Sequence, residues 1–262
     1  MLTWSQEITF GKTVQIREKP EMTDQSEISA DALRLYIIGD IHGRSDLLDR
    51  MVNAIYRDID KHGSRENLTI TLGDYVDRGP DSRGVLERLA SNPFPGEYIA
   101  LKGNHEILFE SFLYQGSGAD FWRQLGGLET LHSYGVPIND LMIGKGVEEA
   151  YRALNAAVPE AHRAFLSSLK NSISVDGYFL CHAGVRPNVS LDRQQEKDLF
   201  WIRDEFLNSK RDFGKIVIHG HSPNEWPEVK PNRVNIDTGA FATGRLTCLV
   251  IEGGRGRFLF TA

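Results

Sequence analysis

Three times within the first 105 residues a short apolar run stops at glycine followed by a short polar residue. Leu33 to Ile38 leads into Gly39-Asp40, Leu68 to Leu72 into Gly73-Asp74, and Tyr98 to Leu101 into Gly103-Asn104. Runs this brief read as buried strands, and the segments between them read as helices. After Ser45, which is placed to cap a helix with Asp46 near its positive end, Leu47, Leu48, Met51, Val52, Ile55, Tyr56 and Ile59 recur at helical spacing. Pro80-Asp81-Ser82 opens a second helix whose inward side is Val85, Leu86 and Leu89. Strand, helix, strand, helix, strand demands parallel pairing, so the class is α/β. The pattern turns helical between residues 106 and 170, broken at Gly116-Ser117-Gly118 and Gly126-Gly127, and reads as a helical insertion. Strands return at 178–181, 215–218, 233–236, 246–251 and 257–260, close enough together to predict antiparallel pairing in a second sheet. Residues 33–262 thus form one domain behind a polar leader of residues 1–32, whose Glu21 to Glu27 stretch is turn-prone.

Composition excludes several classes of partner. A net charge of -6 leaves no basic footprint for nucleic acid or an anionic membrane. No run approaches the ~20 apolar residues of a spanning helix, and no signal peptide is apparent, so a cytoplasmic location is expected. Cys181 and Cys248 lie in strand-like runs and read as buried free thiols of a reducing compartment.

The strand ends carry the chemistry. Gly39-Asp40-Ile41-His42-Gly43, Gly73-Asp74-Tyr75-Val76-Asp77-Arg78-Gly79 and Gly103-Asn104-His105-Glu106 are followed by Cys181-His182-Ala183-Gly184 and His219-Gly220-His221-Ser222-Pro223. Sorted by donor type, one ion takes Asp40, His42 and Asp74, and a second takes Asp74, Asn104, His182 and His221. Mixed oxygen and nitrogen donors suit Mn first, then Fe, Zn or Co, rather than Ca or a thiolate site. Two such ions activate water between them and accept two phosphoryl oxygens. His105 adjoins a ligand and is a suitable proton donor, with Asp77 to hold its ring. Arg78 offers a planar fork to phosphate, as do Arg203 and, less directly, Arg186. Taken singly, Asp40, Asp74 and Asp77 are ordinary turn residues; at successive strand ends with Asn104, His182 and His221 they are not. His219, inside an apolar run, reads as structural, Phe121 and Trp122 read as packing, and Asp237 reads as standing behind the ligands at most.

These five segments, in this order over about residues 35 to 240, resemble the phosphoprotein phosphatase family of calcineurin-like metallophosphoesterases, in its bacterial and phage members. The resemblance implies a sandwich of two mixed β-sheets flanked by helices, four layers in all. It implies the same metal ligands, His105 as acid with Asp77 as partner, and Arg78, Arg203 (in Trp201-Ile202-Arg203) and Asn104 on the substrate phosphate. The activity implied is a serine/threonine protein phosphatase, extending to phosphotyrosine, by direct attack of a metal-bridging hydroxide. Its partners would be phosphoproteins, phosphopeptides or small phosphorylated molecules. The segments 235–240 and 121–135 are also similar to diadenosine tetraphosphate hydrolases, which makes a small phosphoanhydride the alternative substrate. A non-catalytic phosphate-binding module is the third reading, set against a motif array from which no ligand or acid is missing.

Overall fold

The computed structural model describes residues 8–9 and 33–261. Strands are β1 (Ile8–Thr9), β2 (Leu33–Ile38), β3 (Glu66–Thr71), β4 (Glu97–Ala100), β5 (Ser172–Val175), β6 (Tyr178–Cys181), β7 (Ile216–His219), β8 (Glu228–Lys230), β9 (Arg233–Asn235), β10 (Thr247–Glu252) and β11 (Arg255–Phe260). The helices that follow β2, β3 and β4 are α1 (Ser45–His62), α2 (Ser82–Ala90) and α3 (Asn104–Gln115). The expected leader segment Glu21 to Glu27 lies outside the described residues.

One sheet has the order β1-β11-β10-β2-β3-β4 and the other β5-β6-β7-β9-β8. The layering follows from the two-residue period of each strand. In β2, Leu33, Leu35 and Ile37 meet Leu180, Ile218 and Val234 of the second sheet. Their alternates Tyr36 and Ile38 pack on Leu47, Leu48, Met51 and Ile55 of α1. In the second sheet Phe179, Cys181 and Val217 turn the other way, onto Leu199, Phe200 and Phe206. Helix, sheet, sheet, helix is therefore the sequence of layers.

The parallel β2-β3-β4 core matches the strand–helix alternation. The late strands pair only in part as expected: β10 and β11 are antiparallel neighbours, but the rest differ. β6, β7 and β9 run parallel, and β10 and β11 join the first sheet, with β10 antiparallel to β2. A connection of 34 residues between β6 and β7 is long enough to return the chain to the starting edge, which permits parallel pairing. Ser45 does not cap α1: it is the first helical residue, and its hydroxyl donates to Asp81 at 2.6 Å. Asp81 caps α2, accepting from Gly84 N. Short helical segments fill residues 119–168, packed beside α1 and α2 in one apolar layer. Among the described residues no helix is long and apolar enough to cross a membrane.

Candidate metal centre

Parallel strands deliver their C-terminal ends to the same side, which is where open α/β sheets bind ligands. The loops after β2 and β3 are laced together: Ile41 and His42 N–H both donate to Asp74 O, and Gly43 N–H to Tyr75 O. The loop after β7 meets the loop after β6 through Gly220 N–H on His182 O. Glu106, in the first turn of α3, accepts from the N–H groups of Asp74, Tyr75, Val76 and Gly103 at 2.7–3.3 Å. Burial, then the Asp74 carboxylate, pushes the Glu106 carboxyl up to about 7, against those donors.

Of the eight described non-glycine residues with positive φ, five are His42, Asp74, Asp77, Arg78 and His221. That conformation is costly away from glycine and concentrates at functional sites.

The carboxylate of Asp74 splits the site into two halves. Its Oδ1 lies 3.3 Å from His182 Nε2, and its Oδ2 lies 3.4 Å from His42 Nε2 and 3.9 Å from His105 Nε2. Candidate ligand groups are thus His42, Asp74 and His105 on one side, and Asp74, His182 and His221 on the other, all buried. Asn104 Oδ1 joins the second group, 2.9 Å from both His182 Nε2 and His221 Nδ1. Tautomers are fixed by the backbone. His42 Nδ1 donates to Val76 O and His182 Nδ1 to Leu72 O, which turns each Nε2 toward Asp74. Burial pushes His42 down to about 3 and His221 to about 2, so both are neutral donors of electron pairs.

Charge makes the same point. Burial alone would raise Asp74, but the His182 and His105 imidazoles outweigh it and hold the carboxyl well below the usual range. Asp40 goes the other way, well above that range, through burial and the carboxylates of Asp237 and Asp74. Asp237 rises to about 6, burial first. Asp40 Oδ2 accepts from His221 N–H at 2.9 Å, while its buried Oδ1 has no hydrogen-bond partner. An orphaned carboxylate oxygen beside two further buried carboxylates is the environment a cation relieves. The donor set therefore fits two divalent ions. Asp40 is not in the tight group with His42 and Asp74, where His105 stands instead.

His105 is placed by its own partners. Its Nδ1 lies 2.7 Å from Asp77 Oδ2, and its Nε2 lies 3.1 Å from Arg78 Nη2. Burial pulls its pKa down, but Asp74 and Asp77 overcome this and leave it raised. Arg78 also lies over the Phe241 ring, 4.9 Å from its centre. Arg203 is not within the cluster. It stands exposed on a cavity of about 550 Å³ that reaches Ser222 and Pro223, directly after His221. Arg186 is committed to Asp198 and Glu205. His219 points to Gly220 O and Arg233, away from the ligand groups. Phe121 and Trp122 part company: Trp122 is buried, whereas Phe121 is 52% exposed, 6.5 Å from the Trp201 ring. Glu106, Trp122 and Thr130 are the residues that sequence reasoning left without a role at the site. Only Glu106, inside the Gly-Asn-His-Glu segment, carried a signal.

The family model for calcineurin-like phosphoesterases matches residues 33–245. The chain is 28% identical over 245 residues to serine/threonine-protein phosphatase 2 of Salmonella typhimurium, covering 88% of this chain and 100% of that protein. It is 27% identical over 237 residues to the asymmetrical bis(5'-nucleosyl)-tetraphosphatase PrpE of Anoxybacillus flavithermus, covering 81% of this chain and 88% of that protein. Its fold is similar to that of a crystallised cold-active protein tyrosine phosphatase, with a TM-score of 0.52 at 17% identity, over 92% of this chain and 84% of that one. With two buried histidine–aspartate groups sharing one carboxylate at the ends of its strands, the chain belongs to the calcineurin-like phosphoesterase family, as a metal-dependent phosphoesterase.

Proposed function

We propose that the chain hydrolyses phosphate monoesters of serine and threonine, and of tyrosine, in phosphoproteins. The observation that carries this reading is the division of Asp74 between two ligand groups, with the His105–Asp77 pair and Arg78 against one of them. Asp40, His42 and Asp74 would hold one ion; Asp74, Asn104, His182 and His221 the other. His105 is kept off the ligand list because Arg78 occupies the side of its Nε2, where a second cation would be repelled. When bound, the two ions acidify water and neutralise phosphoryl oxygens.

The remaining work falls to the side chains. Arg78, with Arg203 at the rim and the Asn104 amide, holds the phosphate. A phosphoryl oxygen is a stronger acceptor for a guanidinium than an imidazole nitrogen. Substrate therefore draws Arg78 off His105 and uncovers Nε2. Water supplies the entering oxygen, the P–O bond to the side chain breaks, and its electron pair leaves with that oxygen. The entering water gives up its own proton to solvent. His105 Nε2 takes up a proton from solvent once Arg78 has left it and passes that proton to the leaving oxygen to make a neutral alcohol, while Asp77 keeps the opposite N–H in place.

The relatives support two substrate classes. Two proteins named serine/threonine-protein phosphatase 2 align over 99–100% of their own length. Several relatives named bis(5'-nucleosyl)-tetraphosphatase support a second reading, hydrolysis of dinucleoside polyphosphates. Replacing His105 with Asn should lower kcat on a phosphoserine peptide by roughly 10²–10⁴-fold with both metals still bound. Unchanged turnover would remove His105 as the acid. In the same assay, kcat/KM for diadenosine tetraphosphate a hundredfold above that for the peptide would transfer the site to the second reading.

A further inference from the structure

Asp77 is fully buried, so its carboxylate oxygens need hydrogen-bond donors from the protein. Only one of them is His105. The others come from the helical segment 119–133, far along the chain. Trp122 Nε1 donates to Asp77 Oδ2 at 2.9 Å and reaches Oδ1 at 3.1 Å. Thr130 Oγ1 donates to Oδ1 at 2.6 Å. The Asp77 N–H is held as well, within 2.9 Å of both Thr130 Oγ1 and Ser82 Oγ.

The same segment grips the next residue. Its helix is interrupted at Gly126, whose φ of 105° lies outside the helical region. The freed Gly126 carbonyl accepts from Arg78 N–H at 3.2 Å. A Cβ at Gly126 would collide with the Arg78 backbone, so glycine is required twice over, by conformation and by approach. Interrupted helical turns of this kind recur at functional sites. Trp122 itself is fixed by Phe109 and Phe112, with ring centres 5.8 and 5.0 Å away. Both belong to α3, the helix whose first turn carries Asn104 and His105.

We infer that Trp122 and Thr130 are positioning residues for proton delivery, clamping the Asp77 carboxylate so that it holds His105. This rests on the reading of His105 as proton donor. An indole N–H only donates, so Trp122 holds the carboxylate oxygens and cannot itself take part in proton transfer. With both oxygens pinned, Asp77 has one orientation in which to accept from His105 Nδ1. That keeps the Nδ1 proton in place and fixes the direction of Nε2, which a looser carboxylate would not do. Loss of either donor in a folded variant should loosen the acid while leaving the metal ligands in place.

A proton donor matters in proportion to how poor the leaving group is. An alkoxide needs its proton in the transition state; a nitrophenolate leaves without one. Three variants, Trp122→Phe, Thr130→Val and His105→Asn, are loaded with Mn²⁺ and compared on a phosphoserine peptide and on p-nitrophenyl phosphate. Phenylalanine keeps the ring packing and valine the shape, so either clamp variant suffices should the other fail to fold. The expected result for both is a kcat on the peptide about tenfold lower, with kcat on the aryl ester within about twofold of wild type. KM and bound manganese should not change. Equal losses on both substrates, or none, in folded clamp variants overturn the inference while His105→Asn still shows the selective loss. A His105→Asn variant without that selectivity overturns the acid itself, and the clamp with it.

Discussion

Asp74 meets two demands that oppose one another. Its side chain must reach both ligand groups, and its backbone must adopt a φ of 51°, which disfavours any side chain at all. Glu106 offsets that strain by accepting from the N–H groups of Asp74, Tyr75 and Val76 in one turn of loop. Gly103 is part of the same arrangement: a Cβ there would strike the Asp74 carboxylate, the Asp74 N–H and Glu106 together. Replacing Gly103 with Ala should therefore cost about 1–3 kcal/mol of stability, as overpacking does, and weaken metal binding at the same time. Denaturant unfolding and a metal titration read the two effects. Wild-type values for both would show that the Asp74 loop has room to yield. The sequence marked Gly103 and Asp74 each at the end of its own strand, yet it could not show that they touch, because they stand 29 positions apart along the chain.

At the scale of elements, α1 is fastened to the first sheet by buried charge rather than by its cap. Asp58 on α1 accepts from Tyr36 Oη of β2 at 2.8 Å and pairs with Arg257 of β11. Arg34 of β2 donates to His62 O and Gly63 O, satisfying carbonyls at the helix end that would otherwise be orphaned. Burial works to raise the Asp58 carboxyl, but Arg257 and Tyr36 outweigh it, and the carboxyl lies below its ordinary value. A carboxylate depressed in the folded state stabilises above its unfolded pKa of about 3.9. That stabilisation is lost as pH falls through the folded value. Asp58→Asn should therefore cost about 1–3 kcal/mol at pH 7, since it leaves Arg257 with only the longer 3.6 Å pair to Glu252. The gap between variant and wild type should close as pH drops below about 4. Unfolding free energies measured from pH 3 to 7 check this; a gap of constant size would mean that the pair contributes no charge-dependent stability.

Across the whole molecule, the metal centre is where the two sheets meet. Asp40, His42, Asp74 and Asn104 follow strands of the first sheet, whereas His182 and His221 follow β6 and β7 of the second. Ions held by both sheets bind the folded state alone, so their binding energy adds to the stability of the fold. At manganese about a hundredfold above Kd the gain is about 2.7 kcal/mol, which for a chain of this size raises Tm by about 5–10 °C. Chelation should reverse the shift, and Asp74→Asn should abolish most of it. Calorimetry showing no shift in the wild type would mean that the ions do not join the sheets. The apolar run of β2, the helical spacing of α1 and the donor types at each strand end were all legible in the sequence, because each is set by residues a few positions apart. Tertiary structure alone decided the rest. It sent β10 and β11 to the first sheet, made β6, β7 and β9 parallel, and set Trp122 on Asp77 and His182 on the Leu72 carbonyl. Those partners stand 45 and 110 residues apart. A hydrogen bond over such a separation depends on where packed layers bring two groups, and no local periodicity encodes that.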